Sequence, residues 1–115
     1  MDAREVIDRW LEKFNAHDAQ GIAALYAEDA VNHQVALEPV VGRAAIEEMH
    51  RDVFASAPVC TPINLVVEEE WVAMEWVDPQ GFRGCGFFHV QDGLIVRQRG
   101  YWDSAQLRAV HPQMH

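Results

Sequence analysis

Little in this chain would tie it to a membrane, a polyanion or a covalent scaffold. It has two cysteines in 115 residues. Cys60 and Cys85 lie in different segments and lack metal-ligand spacing, so free thiols in a reducing cytoplasm are the simpler account. No window approaches the roughly 20 consecutive apolar residues of a membrane span. The opening Met1-Asp2-Ala3-Arg4-Glu5 has no basic stretch followed by an apolar one, so no secretory signal is visible. Lys and Arg number 9 against 18 Asp and Glu, for a formal charge of −9. The basic residues form no cluster that could neutralise phosphates, which argues against nucleic acid as a partner. Low-complexity tracts, internal repeats and a glycine-rich phosphate loop are all missing; Gly81-Phe82-Arg83-Gly84-Cys85-Gly86 falls in a strand pattern. The histidines and acids show no metal spacing, so neither a metal nor another cofactor is expected.

Half of the residues are hydrophobic. That supports one core, and the length is that of one domain, 1–115, with its core at about 5–105 and a tail at 106–115. Residues 111–115 are expected to be mobile. Asp2 and Glu5 form a capping-box pattern ahead of Val6, Ile7, Trp10, Leu11 and Phe14, whose spacing predicts an amphipathic helix. Asp18 can cap a second, shorter helix through Ile22, Leu25 and Tyr26. Residues 30–37 read as a short strand. Gly42 precedes a third helix over about 44–56, with Ile46, Met49 and Val53 or Phe54 inward and His50, like His17, at the surface. Strands follow at 63–69, 71–77 and 82–90. Asp92-Gly93 is a tight-turn signal, so the run from Leu94 towards Asp103 is the second strand of a hairpin. Helices followed by an antiparallel meander describe an α+β fold. Three N-terminal helices pack on the concave face of a curved, mostly antiparallel sheet of four or five strands. Its cone-shaped apolar interior is a natural pocket for a small hydrophobic molecule.

Asp103 stands out as a candidate catalytic residue. A carboxylate beside Tyr101 and Trp102 at a strand end can sit in an apolar pocket, where its pKa rises towards neutral pH and suits general acid–base work. The alternative is that Asp103 starts a turn into the tail or caps the segment after it. Strict alternation would place Arg97, Arg99 and Asp103 on one face with Ile95. Two arginines inside an apolar cone are costly without partners. A bulge at Gly100 would turn them outward and bring Val96, Gln98 and Asp103 to the pocket. A simple two-residue register then pairs His89 with Val96 and adds His89 to that face. The competing arrangement is an unbroken strand, with the arginines paired to Glu68, Glu69 or Glu75 on the outer face. His33, on the first strand, could orient a substrate carbonyl or share a proton with Asp103; the alternative is a half-exposed strand histidine. Trp10, Tyr26, Asn32, Phe54, Trp76, Phe87, Gln98 and Tyr101 are expected to line the substrate pocket.

Phe14-Asn15-Ala16-His17-Asp18 and the segment from Ile22 to Val31 resemble the opening of nuclear transport factor 2-like (cystatin-like) domains, and most of all the SnoaL-like polyketide cyclases. Val41-Gly42-Arg43-Ala44-Ala45-Ile46 is similar to the family's entry to its third helix. Asp92-Gly93-Leu94-Ile95 followed by Tyr101-Trp102-Asp103 is similar to its ending. The resemblance covers about residues 5–105 and implies a homodimer through the exposed sheet face. It also implies a cofactor-independent cyclase, isomerase or lyase, with Asp103 as acid or base and His89, fourteen residues earlier, beside it. Such folds host many activities, so a non-catalytic ligand-binding or dimerisation domain stands as the alternative. An epoxide hydrolase comes third. Those relatives use an arginine two residues before an aspartate on a middle strand, where this chain has Trp76-Val77-Asp78. Ketosteroid isomerases use an early-strand aspartate, where this chain has Asn32-His33-Gln34. Their helix-one tyrosine corresponds to Trp10, which donates a hydrogen bond but cannot relay a proton.

Overall fold

The structure, a computed structural model, describes residues 1–113. In chain order the elements are α1 (Ala3–Asn15), α2 (Ala19–Ala23), β1 (Tyr26–Gln34), β2 (Val40–Val41), α3 (Arg43–Phe54), β3 (Thr61–Glu68), β4 (Trp71–Val77), β5 (Arg83–Gln91), β6 (Leu94–Trp102) and α4 (Ser104–Val110). One six-stranded sheet runs in the order β2-β1-β6-β5-β4-β3. All its pairs are antiparallel except β1 with β6. This is the expected α+β cone, with one strand more than the sequence pattern predicts. The extra strand, β2, is only two residues long, too short to leave a periodic signal.

The α1 capping box forms as its sequence requires: Asp2 accepts from the Glu5 amide, and Glu5 accepts from the Asp2 amide. Helix α1 buries Val6, Ile7 and Trp10. Helix α2 ends at Ala23, earlier than its apolar spacing suggests. The reason is tertiary: Leu25 O accepts from Ile95 N and Tyr26 pairs with Ile95, which draws the chain into the sheet. Helix α3 buries Ile46, His50 and Phe54. His50 is therefore a core residue, 3% exposed. The core gathers α1, α3 and the concave face of the sheet around Trp10, Tyr26, Ile46, Phe88 and Ile95. Asn15 latches the end of α1 to the entry of β3, giving and receiving hydrogen bonds at the Cys60 backbone (3.0 and 2.8 Å).

The β5–β6 hairpin settles the question of the arginines. Asp92 and Gly93 both take positive φ (52° and 77°), as a tight two-residue turn of this hand demands. Gln91 pairs with Leu94 and Val90 with Ile95, but His89 pairs with Arg97. The extra residue is Val96. From Arg97 to Trp102 the register is regular, so the irregularity expected at Gly100 lies four residues earlier. Ile95, Gln98 and Gly100 face inward and are buried, while Arg97, Arg99 and Tyr101 face out. Gly100 serves close approach: a Cβ there would overlap the Gln34 carboxamide.

Beyond Trp102 the chain does not trail off at once. Residues 104–110 form α4, and His111 Nε2 meets Asp78 Oδ2 at 2.5 Å. Part of the expected tail is therefore helical, and His111 is pinned to the β4–β5 turn. Met114 and His115 lie outside the described residues.

Candidate functional site

Six side chains from α1, β1 and β6 form one polar track within the apolar cone. At its centre is the Tyr26 hydroxyl, fully buried. Trp10 Nε1 donates to it at 3.0 Å and Asn32 Nδ2 at 3.5 Å. With both lone pairs engaged, the hydroxyl donates its own proton, and Gln98 Oε1 accepts it. That fixes the Gln98 amide: its oxygen turns to Tyr26 and its nitrogen turns away. The track continues outward. Asn32 Oδ1 accepts from Gln34 Nε2 at 2.9 Å, and Gln34 Oε1 accepts from Trp102 Nε1 at 3.1 Å.

Every member of the track is uncharged at neutral pH. Burial raises the Tyr26 pKa above its ordinary value of 10, because the phenolate would be stranded in low dielectric; donation from Trp10 and Asn32 offsets this in part. Tyr26 therefore stays a phenol and acts as a donor. Asn32, His50 and Gln98 are the buried polar residues among those described, and no carboxylate or guanidinium joins them. Burial also lowers the His50 pKa, with the Ile46 carbonyl bond opposing, so its imidazole is neutral. The rings of Trp10, Phe14, Phe54 and His50 follow one another at centroid distances of 5.1, 5.3 and 5.5 Å, and His50 lies 6.0 Å from Tyr26. With the Trp10–Tyr26 hydrogen bond this closes a five-membered ring of aromatic side chains.

Of the residues expected to line the pocket, the structure brings together Trp10, Tyr26, Asn32, Phe54 and Gln98. Trp76 is half-buried against the edge of the core, 5.3 Å from Phe82, which in turn lies 6.1 Å from Trp102. Phe87 and Tyr101 do not line the interior. They are 42% and 41% exposed on the convex face, edge to face at 6.3 Å, because beyond the Val96 bulge Arg97, Arg99 and Tyr101 face outward together with their β5 partners His89, Phe87 and Cys85.

Asp103, His89 and His33 do not meet. Asp103 is exposed and is the N-cap of α4, where its Oδ1 accepts from Ala105 N at 2.7 Å and Gln106 N at 3.1 Å. His89 faces the convex side, stacked on Trp71 at 4.3 Å with Glu70 Oε1 3.3 Å from Nε2. Its register partner is Arg97 in place of Val96, and that single step moves it off the concave face. His33 pairs with Arg99 in the sheet and meets the Leu37 carbonyl at 3.1 Å. Asp78, the carboxylate of the incomplete Trp76-Val77-Asp78 pattern, accepts from Gln80 N and Phe82 N in its own turn. His50 and Gln34 carry no sequence signal strong enough to single them out as site residues. The nearest thing to one is the place of His50 midway between Ile46 and Phe54 on an i, i+4 stripe.

The convex face is of another kind. Val66, Trp71, Phe87 and Tyr101 are exposed there. Val66, Glu68, Glu69, Trp71, Ala73 and Phe87 line a cleft of about 390 Å³. Arg99 lies over the Trp71 ring at 6.0 Å. A second cleft, of about 410 Å³, opens between α2 and the end of α3. Neither is lined by Tyr26, Asn32 or Gln98.

The sequence pattern of the SnoaL-like domain matches residues 7–98. No curated protein sequence matches the chain. Three solved structures show the same architecture. An epoxide hydrolase of the LEH-like type from M. tuberculosis is 20% identical, with a TM-score of 0.82 over 94% of this chain and 87% of its own. The epoxide hydrolase/cyclase-like enzyme SalBIII, of pyran ring formation in polyether salinomycin, is 19% identical, with a TM-score of 0.81 over 90% and 92%. A candidate polyketide cyclase from Xanthomonas campestris pv. campestris is 23% identical, with a TM-score of 0.77 over 93% and 94%. At these identities the likeness is one of fold.

Proposed function

We propose that this chain, which belongs to the SnoaL-like domain family within the nuclear transport factor 2-like superfamily, binds one small, mainly apolar carbonyl compound inside its cone. The observation that carries this reading is the convergence of Trp10, Asn32 and Gln98 on the buried Tyr26 hydroxyl. A buried polar network whose members satisfy one another holds its side chains in one arrangement, so it presents polar groups at fixed places inside an apolar core. Tyr26 holds the Gln98 carboxamide so that its N–H groups can serve a ligand carbonyl.

A second reading adds chemistry to binding: a cofactor-independent cyclase, isomerase or lyase with Asp103 as general acid–base. One observation favours it. The polar track Tyr26–Asn32–Gln34–Trp102 ends at Trp102, one residue before Asp103. A ligand lying along the track would carry its reacting carbon towards the strand end. The epoxide hydrolase reading ranks third, since Trp76 stands where that chemistry needs an arginine.

The test is a screen of hydrophobic ketones, epoxides and hydroxy-aromatics by thermal shift, then by turnover. Binding alone predicts that Asp103→Asn leaves ligand affinity unchanged while Tyr26→Phe weakens it. Acid–base chemistry predicts about a hundred- to ten-thousand-fold loss of turnover in Asp103→Asn. Affinity untouched by Tyr26→Phe refutes the interior site.

The convex face supports a homodimer. Arg97 and Arg99 stand on β6, and Glu68 and Glu75 on the opposite side of the same face. A two-fold axis would set each basic strip on its partner's acidic strip around Trp71 and Phe87. Trp71→Glu should then convert a dimer to a monomer in light scattering, and an unchanged mass would exclude this surface. The two unpaired cysteines agree with a cytoplasmic location. No helix among the described residues is long and apolar enough to cross a membrane.

A further inference from the structure

His50 has no part in the polar track, yet it is buried at the centre of the inner stripe of α3, between Ile46 and Phe54. Its Nδ1 lies 2.9 Å from the Ile46 carbonyl. A carbonyl only accepts, so the ring proton sits on Nδ1. In the neutral imidazole, Nε2 then presents a bare lone pair. That lone pair has no hydrogen-bond partner among the described residues. Every fully covered side-chain nitrogen or oxygen among them has a partner, so Nε2 is not fully covered, although the residue as a whole is only 3% exposed. The same reasoning applies to Gln98. Its oxygen is taken by Tyr26, its Nε2 has no partner among the described residues, and it is only 6% exposed. Both groups flank Tyr26, one beside its ring and one at its hydroxyl. Asn32, the remaining buried polar residue, is engaged at both ends of its amide.

The unused capacity is thus one acceptor and one pair of donors, set in an uncharged interior. We propose that His50 is a specificity-determining residue of this site, accepting at Nε2 a hydrogen bond from a hydroxyl of the same ligand whose carbonyl takes the Gln98 amide. This rests on the interior-binding reading above and narrows it: the ligand is a neutral hydroxy-carbonyl compound. A carboxylate or an ammonium would enter without a counter-charge and carry the full cost of desolvation. A simple ketone would leave the Nε2 lone pair unsatisfied and dry. Buried polar groups in that state are costly, and sites built around one reject ligands that fail to meet it.

The experiment uses four probes of one size: para-hydroxyacetophenone, acetophenone, para-ethylphenol and para-hydroxybenzoate. Affinities for the full chain are measured by calorimetry, and the His50 ring nitrogens are followed by ¹⁵N NMR. The expected result is that para-hydroxyacetophenone binds about tenfold or more tightly than acetophenone or para-ethylphenol. The benzoate should bind least. The Nε2 resonance should move with the two neutral hydroxyl probes and stay still with acetophenone. In His50→Phe the gain from the hydroxyl should vanish while the gain from the carbonyl persists. The NMR arm reads the unmutated protein, so a poorly folded variant does not spoil the test. Equal binding of acetophenone and para-hydroxyacetophenone, with Nε2 unmoved, overturns the role of His50 and leaves the interior site standing. Tightest binding by the benzoate overturns the neutral ligand. Binding by none of the four removes the interior site and this proposal with it.

Discussion

Strands β5 and β6 have two faces built from alternate residues of one chain, and the faces differ in kind. The concave face carries Phe88 and Gln98, 1% and 6% exposed. The convex face carries Phe87, His89, Arg97, Arg99 and Tyr101. Polar groups on the concave side are neutral and joined by hydrogen bonds. On the convex side the guanidinium groups of Arg97 and Arg99 lie among exposed aromatic rings, with Arg99 over Trp71 and His89 stacked on the same ring. A low-dielectric interior admits amides and phenols that satisfy one another; a wet surface admits guanidinium groups next to indoles. One inserted residue, Val96, decides which side chains go where.

The sharpest way to break this comparison is to truncate neighbours. Phe88→Ala should cost about 3–5 kcal/mol in urea denaturation, since Phe88 packs edge to face on Trp10 at 5.2 Å. Phe87→Ala should change monomer stability by about 0.5 kcal/mol or less, as exposed positions do. Equal costs would show that the two faces are not distinct.

Next in size is Tyr26→Phe. It leaves the Trp10 N–H and the Gln98 carbonyl without their partner, at a cost of about 1–3 kcal/mol. It also changes the alkaline limb of the stability curve. Because the folded pKa of Tyr26 is raised, its contribution is intact below its unfolded value and declines as pH rises above about 10. The Phe variant should lose less stability than wild type across that range. Parallel curves would place the phenol in contact with solvent.

His50 gives the opposite sign. Its folded pKa is lowered, so the unfolded chain takes up the proton first. Stability is intact above about 6.5 and falls as pH drops below it. His50→Gln should flatten that slope, and an unchanged slope would mean the ring is not buried neutral.

The smallest effect belongs to Asp103. Asp103→Asn should lie within about 0.5 kcal/mol of wild type, because asparagine caps a helix as well as aspartate does, and Asp103→Ala should cost about 1 kcal/mol. A large loss in the Asn variant would mean that the carboxylate charge itself holds the fold.

The fold is legible in the sequence where periodicity is strong. Val6, Ile7 and Trp10 mark α1, the strand-like run 71–77 matches β4 to its end residues, and Asp92-Gly93 marks the hairpin. The concave cluster is legible in part: Trp10, Tyr26, Asn32 and Gln98 are expected to line a pocket, and they form its hydrogen-bonded centre. The bulge at Val96 is not legible, because a valine there suits a regular strand as well as an irregular one. The inward assignment of His89, Phe87 and Tyr101 fails on that account. Helix α4 is hidden for a different reason. Its seven residues bury no side chain, and Asp103, Gln106 and His111 hold it by polar contacts that leave no hydrophobic pattern.

The central claim is that ligand enters the concave interior beside Tyr26. The four indole N–H resonances report on it directly, since Trp10 is interior, Trp102 ends the polar track, Trp76 is half-buried beside Phe82, and Trp71 is convex. In a ¹⁵N-labelled titration with para-hydroxyacetophenone, the Trp10 signal should move most, Trp102 less, and Trp71 not at all. A shift at Trp71 with Trp10 unmoved would contradict the account and place the ligand on the convex face.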